Sequence, residues 1–210
     1  MIRTPIALVP YLLAIAAVAA GLLWSAGDRI GGLGRTVSTG EATIGGPFTL
    51  IDQDGRTKTD ADFRGRFVLI YFGYSFCPDV CPTTLQEMAD AFARLGSKKS
   101  RVVPVFITVD PVRDTPPVLK QWVAAFGPRL IGLTGSPETI AKVTKDFAVV
   151  YAKDGDPKAT QDYMVSHSRT PYLFGPDGRP IALVPVNEPD TDANEGSPQA
   201  VAKFLDQWVK

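Results

Sequence analysis

Two cysteines and one histidine are the scarce reactive side chains of this 210-residue sequence. Cys77 and Cys81 stand four positions apart in Cys77-Pro78-Asp79-Val80-Cys81-Pro82. Residues four apart share one face of a helix, so both sulfurs can point to one spot. The motif directly follows an apolar run, and Pro82 suits a first helical turn, which places the pair at a helix N-terminus. Unpaired N–H groups and the positive end of the helix dipole favour thiolate over thiol there. A thiolate pair is either a redox couple or two ligands for a soft metal, and a plain structural disulfide is the third reading. Three intervening residues, where the common dithiol redox motif has two, permit a disulfide without demanding one. His167 is the sole imidazole and ends an expected strand, Tyr163-Met164-Val165. Two thiolates and one imidazole suit Cu(I), Zn(II) or a blue-copper-like site, and spacing does not choose among them. One histidine excludes any site built from several imidazoles.

Other polar residues near the motif are read as structural. Asp79 is a solvated helix-start residue in preference to a counter-charge for a bound cation. Asp110 and Asp114 flank the end of a strand; Asp114 is expected to cap the following helix, with Arg113 as its salt-bridge neighbour. Met164 points away from His167 if strand alternation holds. Met88, Phe92, Trp122 and Phe126 stand at core spacing.

The elements that must position these residues are legible as periodicities. Phe67 to Phe72 is a continuous apolar run, the mark of a central strand covered on both faces. Leu85, Met88, Ala89, Phe92 and Leu95 recur at helical spacing until Gly96 ends the helix. Val102 to Val109 reads as the next strand, with Pro104 expected near its beginning or on an edge. Asp114-Thr115-Pro116 opens a second helix, Leu130 to Leu133 forms a short strand, and Ser136 caps a helix running to about Phe147. Strands follow at Ala148–Ala152, Tyr163–Val165, Tyr172–Phe174 and Ile181–Val184, and a last helix carries Val201, Phe204, Leu205 and Trp208. Strand–helix alternation first and hairpin strands later indicate an α/β sandwich with a mixed central sheet, of thioredoxin-like fold.

The N-terminus bears on compartment. Ile6 to Trp24 is almost wholly apolar, about the length a membrane-spanning helix needs. Arg3 before it keeps the tip cytoplasmic by the positive-inside rule. An uncleaved anchor is favoured over a cleaved signal peptide, whose apolar stretch is shorter. The expected organisation is a membrane anchor over residues 1–27, a Gly-rich linker over 28–45, and a folded thioredoxin-like domain over 46–210. The expected location is a bacterial inner membrane, single-pass, with the domain in the periplasm, where disulfides can persist. Lys and Arg total 22 and Asp and Glu total 22, a balance that gives no electrostatic reason to expect a nucleic-acid partner. Apolar residues at 45% exclude a disordered chain.

Five ordered blocks resemble the Sco/SenC family: Gly45-Gly46-Pro47-Phe48-Thr49-Leu50, the Cys77-to-Pro82 motif, Asp110-Pro111-Val112-Arg113-Asp114-Thr115-Pro116, Leu130-Ile131-Gly132-Leu133-Thr134-Gly135, and His167-Ser168 with Tyr172-Leu173 and Pro176-Asp177-Gly178. The resemblance spans nearly the whole exported part. It implies a metallochaperone that helps assemble the binuclear copper centre in subunit II of cytochrome c oxidase. Cys77 and Cys81 match the family's sulfur ligands and His167 its imidazole ligand; the implied cofactor is copper, as Cu(I) and also Cu(II). The implied partners are that oxidase subunit, a periplasmic copper donor and the inner membrane. Two positions depart from the pattern. Ser166 stands where the family commonly has Asp before the histidine, a weaker hydrogen-bond acceptor beside the metal. Pro171 stands where an unbranched or β-branched apolar residue is expected, and Thr170-Pro171 resembles the cis-proline turn of thioredoxins, with the isomer left open. The alternative is a thiol-disulfide oxidoreductase that keeps the target's cysteines reduced, with Cys77 and Cys81 as catalytic residues and His167 in support. Redox sensing stays open as well. A peroxidase fits less well, because Gly73-Tyr74-Ser75-Phe76 lacks the usual Thr.

Overall fold

The computed structural model describes residues 44–156, 162–187 and 194–210. The expected anchor, 1–27, and most of the linker, 28–45, lie outside the described residues. Among the described residues no helix is long and apolar enough to cross a membrane.

Strand β1 (Thr49–Asp52) pairs with a short β2 (Thr57–Thr59), and a 3-10 turn over Asp60–Phe63 leads to β3 (Phe67–Gly73). Helix α1 (Val80–Arg94) follows, then β4 (Val102–Thr108), α2 (Pro116–Ala124), β5 (Ile131–Thr134) and α3 (Pro137–Asp146). Strands β6 (Tyr151–Asp154), β7 (Met164–His167), β8 (Tyr172–Phe174) and β9 (Pro180–Leu183) precede the final helix α4 (Pro198–Trp208).

Seven strands form one sheet in the order β2-β1-β5-β4-β3-β8-β9. β3, β4 and β5 run parallel, while β1 and β8 run antiparallel to their neighbours, so the sheet is mixed. Every residue of β3 and β4 is buried, as continuous apolar runs require when both faces are covered. Packing explains the helices too. α1 buries Leu85, Met88 and Ala91 on one stripe, and Gly132 in β5 admits Val123 of α2, whose side chain would lie 2.9 Å from an added Cβ. Ser136 caps α3 by accepting from the Thr139 amide.

Two sequence expectations change, while Pro104 falls near the beginning of its strand as expected, third in the central β4. It lies before the first β4–β5 pair, Val105 with Ile131, so its missing N–H falls where β5 has not begun. The strands expected at Ala148–Ala152 and Tyr163–Val165 shift to Tyr151–Asp154 and Met164–His167. They leave the main sheet as a separate antiparallel ribbon, with Tyr151 opposite His167. Strand β2 is an addition, because Thr57-Lys58-Thr59 carries no apolar alternation to mark it. All peptide bonds among the described residues are trans, Thr170–Pro171 included.

Candidate metal centre

The central strand delivers the chain to the site. After Gly73, residues Tyr74 to Asp79 form the turn into α1, and Cys81 falls in the first helical turn. The Cys81 amide donates to Cys77 Sγ at 3.4 Å, a helix-N-terminal N–H aimed at a sulfur. Gly73 is required by this packing: a Cβ there would meet Cys81 Sγ and Phe106 Cε2 at 3.0 Å each.

Asp114 holds the turn from below. Its carboxylate accepts from the amide and hydroxyl of Ser75 and from Thr108 Oγ1 (2.6 Å). The expectation of a helix cap is therefore corrected: Thr115 occupies the cap position of α2, and Asp114 is wholly buried because it ties β4 to the cysteine turn. Burial, the largest influence, raises its pKa despite these donors, and nearby Asp110 adds to the rise. Arg113 likewise pairs with Asp110 instead of Asp114. Its guanidinium lies 3.6 Å from the Tyr163 ring centroid and 4.8 Å from that of Phe76, and Nη1 donates to the Tyr163 carbonyl at 2.9 Å. Tyr163 closes the circuit by donating its hydroxyl to Asp110 at 2.6 Å. This cluster clamps the residue preceding β7 to the loop beside the cysteines.

The β6–β7 ribbon carries His167 to the site. His167 Nδ1 lies 2.8 Å from the Ser168 carbonyl oxygen, which only accepts, so the proton resides on Nδ1 and the Nε2 lone pair is free. Nε2 faces Cys81 Sγ at 3.2 Å. The rings of Tyr71 and Tyr74 meet the imidazole edge-on at 6.3 and 5.9 Å, and the Tyr74 hydroxyl accepts from the Val165 amide at 3.2 Å. The ligand atoms of Cys77, Cys81 and His167 all lie within 4.8 Å of one another. Two sulfurs and one neutral nitrogen, two of the three residues buried, make a donor set fitted to a soft ion.

Ser166 does not act on the histidine. Its hydroxyl turns across the ribbon to the Ala152 carbonyl and Asp154 Oδ1, both at 3.3 Å, and the acceptor for Nδ1 is main chain. Met164 is exposed and takes a long contact, 3.9 Å, from the Tyr74 hydroxyl.

The two cysteines are reduced and unequal. The hydrogen bond from Cys81 is the main cause lowering the Cys77 pKa, against burial that raises it, with the Asp79 and Cys81 amides adding to the fall. The Cys81 pKa is raised, first by the same bond and then by burial. Cys77 is thus the thiolate and Cys81 keeps the proton. The sequence reading missed Tyr71, which is wholly buried against this pair with a hydroxyl that makes no hydrogen bond within normal distance among the described residues. Period-two alternation could have found it, since Tyr71 shares a strand face with Gly73. Tyr163 and Asp110 carried no comparable signal, because their pairing spans 53 positions.

A family model described as SCO1/SenC matches residues 36–207. The chain belongs to the SCO1/SenC family. Among curated relatives, the SCO2-like protein RP587 of Rickettsia prowazekii is 46% identical over 65% of this chain and 66% of its own length. Just under two thirds of that relative is therefore spanned. Among solved structures, Bradyrhizobium japonicum ScoI with copper bound superposes with a TM-score of 0.68 at 38% identity, covering 79% of this chain and 99% of that one. BsSco, described as a member of the Sco family of cytochrome c oxidase assembly proteins and as carrying a disulfide switch, matches with a TM-score of 0.54 at 27% identity over 68% of this chain and 83% of that one. With these neighbours the mixed sheet and its flanking helices constitute a thioredoxin-like α/β fold.

Proposed function

We propose that this SCO1/SenC chain is a membrane-tethered copper chaperone that binds copper through Cys77, Cys81 and His167 and passes it to the binuclear copper centre in subunit II of cytochrome c oxidase. The observation that carries the reading is the convergence of two sulfurs and an unprotonated imidazole nitrogen from elements far apart in sequence. The copper-bound ScoI neighbour and the assembly role stated for BsSco support it. On this reading the apolar N-terminal run holds the chain in a bacterial inner membrane with the domain in the periplasm, where a donor loads it.

The chain's own groups account for loading and release. Ser168 fixes the imidazole tautomer so that Nε2 can bind without losing a proton. Cys77 is already the more acidic thiol, so uptake of the ion displaces chiefly the Cys81 proton to solvent. Oxidation to a Cys77–Cys81 disulfide removes both sulfur ligands, so redox state gates the site. A three-ligand ion leaves room for an incoming thiolate to attack before the donor's ligands depart.

The test is an anaerobic Cu(I) titration of the reduced protein against a competing chelator. Wild type should take one tight equivalent, lost in Cys77→Ser/Cys81→Ser and weakened at least tenfold in His167→Ala. Wild type that takes up no copper sinks the proposal.

The asymmetry of the two thiols favours one second reading, a dithiol reductase. Cys77 would attack a target disulfide, releasing one target thiolate and forming a mixed disulfide; Cys81, losing its proton, would then attack Cys77 and release the second. The chain would end oxidised by two electrons and the target reduced by two. Copper binding unchanged in His167→Ala, with disulfide reduction intact, would favour this reading.

A further inference from the structure

The formal charge of the chain is zero, yet the fold sorts its charges. β3, β4 and β5 run parallel, and the cysteine turn lies beyond their C-terminal ends. The opposite end, where those strands begin, is basic. Arg66 precedes β3, the turn before β4 carries Lys98, Lys99 and Arg101, and Arg129 stands just ahead of β5. Arg179 joins them from the β8–β9 turn, because β8 runs antiparallel to β3 with Phe174 opposite Val68. Local carboxylates answer part of this charge: Asp206 pairs with Lys98, Asp177 with Arg179 and Asp60 with Arg64, and Asp146, whose carbonyl accepts from the Gly45 amide, pairs with Lys142. Arg66 and Arg129 instead donate to the main-chain carbonyls of Asp62 and Val102. Lys99 and Arg101 are exposed and have no carboxylate within ion-pair distance among the described residues.

Two further features converge on the same end. The Lys98–Asp206 contact brings the C-terminal turn of α4 there, with Trp208 43% exposed beside it. The chain also enters there: Ile44 and Gly45 line one cavity with Arg64, Gly178 and Arg179, and Gly45 lies against the Phe174 ring. A basic rim only partly answered by carboxylates, with an exposed Trp beside it, is a composition that binds an anionic bilayer surface, the Lys and Arg meeting phosphates and the indole the headgroup layer.

We propose that this end is a docking surface for anionic lipid headgroups, holding the domain on the bilayer with Cys77, Cys81 and His167 facing away from it. The inference rests on the membrane-tethered reading and adds to it a second, electrostatic contact that fixes which end of the domain faces outward.

The test uses the full chain in nanodiscs of phosphatidylcholine alone or with phosphatidylglycerol, with residue-resolved acetylation of lysines read by mass spectrometry. Lys99 and Lys210 should be acetylated about fivefold more slowly on the anionic discs, the order of effect of one basic residue at such a surface. Lys120 should not change, and 0.5 M salt should abolish the difference. Arg66→Glu/Arg101→Glu should lose the protection at Lys99 and keep its Cu(I) uptake. Equal acetylation of Lys99 on both discs overturns the proposal, as does protection by a DNA duplex in the absence of protection by anionic lipid. Recovery of the chain with neutral discs reports the anchor separately, so failure of the tether and failure of the basic end appear in different signals.

Discussion

His167 Nε2 stands 3.2 Å from Cys81 Sγ across 86 positions of sequence. The contact joins two supports that share no strand pairing: the turn after β3 and the β6–β7 ribbon outside the main sheet. The two are clamped by Arg113, whose guanidinium stacks on Tyr163 at the foot of β7 and pairs with Asp110 at the end of β4. The geometry of the site is therefore set by residues that touch no ligand atom.

Arg113→Met should accordingly be costly. It strands the buried Asp110 carboxylate, a loss of about 3–5 kcal/mol in urea unfolding. Arg113→Met/Asp110→Asn should recover a large part of the stability, because no buried charge is then left alone. Copper affinity should stay below wild type in both variants, since neither restores the stacking on Tyr163. Arg113→Met unfolding at the wild-type midpoint would contradict this account.

Tyr71 offers a test in which stability and binding move oppositely. Its hydroxyl is buried beside Cys81 and makes no hydrogen bond within normal distance among the described residues; burial together with the neighbouring Cys81 raises its pKa, with the nearby Thr84 hydroxyl acting weakly the other way. Tyr71→Phe removes an unsatisfied polar group, so the metal-free protein should gain up to about 1 kcal/mol. When Cys81 loses its proton the hydroxyl becomes a donor to a thiolate, so the same substitution should weaken Cu(I) binding by about tenfold. Chelator competition and urea unfolding on one preparation check both signs. A fall in metal-free stability would show that the hydroxyl is satisfied.

The lowered pKa of Cys77 predicts its reactivity. An ordinary thiol with a pKa near 8.5 loses about 80-fold in thiolate between pH 8 and pH 6. A thiol whose pKa is depressed keeps its thiolate as pH falls, so alkylation of Cys77 in the reduced protein should drop by less than about threefold over that range. Cys81, whose pKa is raised, should react later. Peptide mass spectrometry after limited iodoacetamide treatment reads both, and preferential labelling of Cys81 would reverse the assignment.

Most of the frame is legible as local pattern in the sequence. The uninterrupted run Phe67–Phe72 marks β3, and Ser136 and Pro82 mark helix starts, because burial on both faces and capping leave one-dimensional signatures. Cys77 and Cys81 are legible for the same reason, being within one turn. The ribbon's separation from the sheet is not, since Tyr151–Asp154 and Met164–His167 alternate like any half-buried strand and partner choice is a long-range matter. Asp114 misleads because an Asp two residues before a proline-led helix reads as a cap. What overrides that signal is the demand of the cysteine turn for a buried acceptor, supplied from 39 positions away.

That buried acceptor gives the pH test. Asp114 receives donors from Ser75 and Thr108, and an amide in its place offers one acceptor oxygen where the carboxylate offers two. Asp114→Asn should therefore lose about 1–3 kcal/mol at pH 7, with Cu(I) affinity falling as the cysteine turn loosens. The pH dependence has a definite sign. Burial raises the Asp114 pKa in the folded state, so the folded chain binds this proton before the unfolded chain does. The contribution of such a group is complete below its unfolded pKa, near 3.9, and is lost as pH rises through the folded value. As pH falls from 7 towards 4, wild type should thus gain stability relative to Asp114→Asn, which has no proton to take up at this position. Urea midpoints of the two proteins at pH 7 and pH 5 measure the gap. A gap that narrows on acidification would mean that the donors from Ser75 and Thr108 outweigh burial, and that Asp114 holds the turn as a fully stabilised carboxylate.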